Sequence, residues 1–73
     1  MRPLTATDRI RQRLVQIIDQ ATADIARYTD SIKEATDPET GEIDPVVVVV
    51  DGSLLTAATR RRAMAQRELE RMR

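Results

Sequence analysis

The stretch Asp44-Pro45-Val46-Val47-Val48-Val49-Val50-Asp51-Gly52-Ser53 decides how this chain folds, because five consecutive valines can be built into two different structures. As a strand, the β-branched side chains suit a pleated surface. A lone strand, however, has nothing in its own chain to pair with, and must pair with a second copy or add to a partner's sheet. As a helix, Asp44 serves as N-cap and Pro45 as the first helical residue, and one long helix runs on through Gly52. Gly52 then costs about 1 kcal/mol relative to Ala, and each valine adds its own low propensity. Local preference therefore favours a short strand over Val46–Val50, with Ser53 capping a separate helix. A helix start at Pro45 is the alternative.

Residues 36–45, just upstream, read as an acidic turn. In Asp37-Pro38-Glu39-Thr40-Gly41 the proline presets φ, the aspartate can bond its own backbone, and the glycine accepts a positive φ. The acids Asp37, Glu39, Glu42 and Asp44 do not spell a calcium loop. Counted from Asp37, the glycine falls fifth where an EF-hand needs it sixth, and Val48 stands twelfth in place of a bidentate Glu.

Before the turn a long helix is predicted from residue 5 to about 35. Leu14, Ile18, Ala21, Ile25, Tyr28 and Ile32 recur at spacings of 4, 3, 4, 3 and 4, a heptad seam widened by Ile10 and Ile17. Thr5 with Asp8 makes an approximate capping box, and Thr7 is a competing cap. Arg9, Arg11 and Arg13 follow near the positive end of the helix dipole, where each cation is disfavoured by a few tenths of a kcal/mol. Either an anion is met there or the side chains reach into water.

Downstream a basic helix is predicted over residues 53 to 73. Helical spacing puts Leu54, Ala58, Ala65, Leu69 and Met72 on one face and Arg60, Arg67 and Arg71 on the other. Arg61 and Arg62 flank the apolar stripe. Arg67 and Arg71, four apart, repel one another unless an anion lies between them.

Composition narrows the chemistry. With no Cys and no His, disulfides, thiolate chemistry, zinc sites and the commonest general base are all absent. Only Asp, Glu, Tyr28, Lys33 and hydroxyls remain for catalysis, and no spacing draws them into a pocket. No enzyme, metal, cofactor or small-molecule substrate is expected. The 12 cations and 12 acids cancel overall, but they are not mixed evenly. Residues 1–23 sum to +2, residues 24–51 to −6 and residues 52–73 to +4. The valine run is too short to span a bilayer and no apolar leader opens the sequence, so the expectation is a cytoplasmic chain with no membrane partner, or one inside a phage or virion assembly.

The expected fold is mainly all-α. A single small domain, residues 1–73, forms a helical hairpin of a long N-terminal and a shorter basic C-terminal helix, joined by the acidic turn and a short valine strand. Arg9, Arg11 and Arg13 would then lie beside Arg67, Arg71 and Arg73 at the open end. A chain of 73 residues without disulfide or metal usually needs oligomerisation to complete its core. An antiparallel homodimer, a four-helix bundle, is favoured, because it brings each basic end to its partner's acidic turn. The expected self-association interface is Leu14, Ile18, Ala21, Ile25, Tyr28 and Ile32 with Val46, Val48 and Val50.

The function expected is that of a non-enzymatic interaction or scaffold protein that binds a protein partner, of the small accessory or structural kind found in bacteria and phages. The alternative is a nucleic-acid-binding accessory factor contacting phosphates through Arg9, Arg11, Arg13, Arg60, Arg67 and Arg71. Against it, no aromatic interleaves with these arginines, and no helix-turn-helix or RNA-recognition pattern is present.

Overall fold

The computed structural model describes residues 3–72, which form two helices, α1 (Ala6–Glu34) and α2 (Pro45–Arg71), packed against each other as a hairpin. Arg73 lies outside the described residues. Helix α1 starts as its sequence implies. The Thr5 side chain accepts from the Asp8 N–H at 3.1 Å, and Asp8 Oδ2 accepts from the Thr5 N–H at 3.2 Å, so the capping box closes in both directions. Thr7 lies inside the helix and is not the cap.

The valines are helical, which corrects the expected strand. Asp44 is the N-cap, its side chain accepting from the Val46 N–H at 2.9 Å, and Pro45 occupies the first helical position. The Val48 N–H then bonds the Asp44 carbonyl at 3.0 Å, starting the helical ladder. Ser53 is consequently no cap but an interior residue, its hydroxyl donating back to the Val49 carbonyl at 2.7 Å. The second helix is the shorter of the two, as expected, but by only two residues, 27 against 29 for α1, because it begins at Pro45 rather than at residue 53. A strand here would have left its backbone groups without partners, whereas the helix satisfies them internally. The cost is low propensity over five valines, roughly 0.5 kcal/mol each relative to Ala.

The seam of α2 differs from the expected one as well. Val47, Asp51, Leu55, Ala58, Arg62, Ala65, Leu69 and Met72 are drawn out of solvent at spacings of 4, 4, 3, 4, 3, 4 and 3, with Gly52 beside them. Leu54, expected on this face, is exposed and Leu55 takes its place. Two polar residues therefore sit within the seam. Asp51 accepts a hydrogen bond from the Ser31 hydroxyl of α1, and Arg62 can lay its methylenes along apolar neighbours while its guanidinium stays wet.

Opposite them lie Leu14, Ile18, Ala21, Ile25, Tyr28 and Ile32 of α1, each partly or wholly withdrawn from solvent. The fully buried residues among those described are three alanines, Ala21 (0% exposed), Ala58 (1%) and Ala65 (5%). Small side chains at these contacts allow the helix axes to lie close. The result is a rod of 58 × 22 × 16 Å rather than a globule.

The acidic joint turns the chain by bonds of its own. Asp37 N–H donates to the Glu42 carbonyl and Gly41 N–H to the Asp37 carbonyl, both at 2.8 Å, and Thr36 and Ile43 form an isolated antiparallel bridge. Gly41 has a φ of 74°, a conformation that side chains with a Cβ rarely adopt. The Asp37 carboxylate accepts from the Glu39 N–H at 2.8 Å, turning the chain back on itself over Pro38.

Candidate functional site

Helical spacing gives α2 a second apolar stripe beside its seam. Val46, Val50, Leu54, Ala57 and Met64 follow one another by 4, 4, 3 and 7 residues. All five are exposed, Val46 at 69%, Val50 at 50% and Met64 at 67%. Toward the open end of the hairpin the stripe borders an open groove of about 500 Å³, floored by Leu14 and Ile17 of α1 and by Ala57, Met64 and Ala65 of α2. Arg60, Arg61 and Glu68 also line it. Arg61 is held in place by Asp24 across the helix pair at 2.9 Å. Both partners are partly exposed, so the pair is worth at most about 1 kcal/mol and acts mainly to orient the guanidinium. By the same spacing the other flank of the hairpin carries Thr22, Thr29, Thr59 and Gln66, with Val15 and Val48 as exposed aliphatics set far apart among them. One side of the rod therefore carries a continuous apolar stripe, and the opposite side is mixed.

The residues expected at a self-association interface are divided by this arrangement. The α1 seam from Leu14 to Ile32 is engaged by α2 within the chain, while Val46, Val48 and Val50 remain exposed. Leu54, Ala57, Met64 and Ile17 were not among those expected residues. Their signal was present in the heptad interval from Val50 through Ala57 to Met64, but it is legible only once the valines are known to continue the same helix.

The arginines do not gather into one patch. Arg11 reaches across the open end and donates to the Met72 carbonyl at 2.7 Å, meeting the negative end of α2. Its place at the start of α1, contrary to the dipole rule for its own helix, is explained by the neighbouring helix that ends there. Arg71 pairs with Glu68 at 3.1 Å. Arg9 and Arg13 line a shallow depression with Gln12, Gln16 and Gln20, and Arg60 lines the apolar groove. Arg67 is exposed on the outer part of α2.

Among the described residues no group of three or more acidic, His or Cys side chains comes together in a way that could hold a metal ion, and no helix is long and apolar enough to cross a membrane. No protein-family model, curated protein or solved structure matches this chain.

Proposed function

We propose that this chain is a non-enzymatic interaction protein, a helical hairpin that self-associates and acts as a small scaffold for protein contacts. The supporting observation is its surface. A compact folded chain of 8.3 kDa exposes about 4,600 Å² on the usual scaling with mass, whereas this hairpin exposes 5962 Å². The excess, about 1,400 Å², is more than the roughly 800 Å² that each partner buries in a standard protein interface. A core of three alanines and half-covered aliphatics is also thin support for 73 residues, as expected of a fold completed by association.

The nucleic-acid alternative has less behind it. Arg11 and Arg71 are engaged within the chain, and the single aromatic, Tyr28, lies on the α1 seam rather than among the arginines. Base stacking has no platform there.

Linkage between folding and association supplies the test. The thermal midpoint, followed by circular dichroism at two chain concentrations about 100-fold apart, rises with concentration if association stabilises the fold. A midpoint that does not move would contradict the proposal.

A further inference from the structure

We infer that the apolar flank of α2 is the contact between two copies of this chain, packed antiparallel about a two-fold axis level with Leu55, so that Val46 and Val50 of each copy enter the groove of the other beside Ile17, Ala57 and Met64. This rests on the self-association reading above and adds its geometry.

The valines themselves are the first argument. Val46 and Val50 weaken the helix they belong to, and at 69% and 50% exposure they recover little of that within the hairpin. Natural sequences keep such a conflict between local preference and packing where a contact elsewhere resolves it.

The second argument is self-complementarity. Val46 and Met64 stand nine residues either side of Leu55 on one stripe. A two-fold axis there sets Val46 against Met64 of the second copy, and Val50 level with Arg60, whose methylenes line the groove next to the small Ala57. The same contact is made twice, as a closed isologous dimer requires. The stripe spans about 27 Å at 1.5 Å per residue, a length suited to an interface of about 800 Å² per copy.

Charge selects the direction. The antiparallel arrangement brings the joint end of one copy, in the segment of charge −6, to the open end of the other, in the segment of charge +4, where Glu68 beside the groove is paired with Arg71. Parallel packing would set like charge against like.

Because the chain contains no cysteine, engineered thiols report the geometry without background. The double variant Val46→Cys with Met64→Cys cannot close a bridge within one helix, the two positions being about 27 Å apart. Under mild oxidation it should form covalent dimers linked 46 to 64, while each single variant should stay unlinked. A Val46→Cys chain that bridges to its own copy would overturn the antiparallel geometry. So would a chain that light scattering shows to be dimeric but that forms no 46-to-64 link, and in that case the self-association reading would stand. A monomer would remove both. As a second check, Val46→Glu places a charge on an exposed helix position, so the hairpin should keep its helicity while the new carboxylate meets Met64 beside Glu68 of the other copy. Its dimer should dissociate at concentrations about 100-fold higher, and an unchanged dissociation midpoint would exclude this flank as the contact.

Discussion

The two glycines show how one residue type has opposite worth at two positions. Gly52 lies inside α2, where an added Cβ meets nothing within 4 Å. Replacing it with Ala removes unfolded-state freedom and adds no clash, so Gly52→Ala should raise the unfolding free energy by about 0.5–1 kcal/mol. Gly41 has equally open surroundings but a φ of 74°, and Gly41→Ala should lower it by about 1 kcal/mol. Urea denaturation of both variants under one condition checks the pair. The same sign for both would mean that one of these backbone assignments is wrong. Gly41 was legible in the sequence from its Asp-Pro-Glu-Thr-Gly setting. Gly52 was not, because a glycine after five valines reads as the end of a strand as readily as the interior of a helix.

Helix α1 was read correctly from sequence because its signals agree: the Thr5 and Asp8 box, the unbroken apolar heptads and the Pro38 turn all mark the same boundaries. Helix α2 was read correctly only in its later half. Its true seam includes Asp51 and Arg62, two charged residues that hide the period from any reading based on apolar positions, and so the face was placed on Leu54 instead of Leu55. Propensity favours a strand for the valine run, although Asp44 and Pro45 form a helix start. A strand lacks a partner in this chain, and the continuous helix instead half-buries Val47 and leads directly into the seam. Val49 separates the two structures experimentally. It is 68% exposed and lies off the apolar stripe. Val49→Ala should therefore stabilise the chain by about 0.5 kcal/mol through helix propensity alone. A loss of stability of similar size would be the behaviour of a strand residue and would contradict a helical run.

On the scale of the whole molecule the hairpin is a rod with a continuous apolar stripe along one side, an acidic joint at one end and an arginine-rich opening at the other. The charge layout could be taken from the sequence, since it follows from counting residues, and the proposal of association starts from the same count. Which surface associates could not, because the stripe from Val46 to Met64 exists only if both halves belong to one helix. Screening by salt acts on the end-to-joint attraction and leaves apolar burial largely intact, so association should weaken only modestly at high ionic strength. The most direct measurement is the solution mass by light scattering over a dilution series at low and high salt. The account predicts twice the chain mass of 8.3 kDa, falling to one chain only at the lowest concentrations in both buffers. A single-chain mass at every concentration would contradict it.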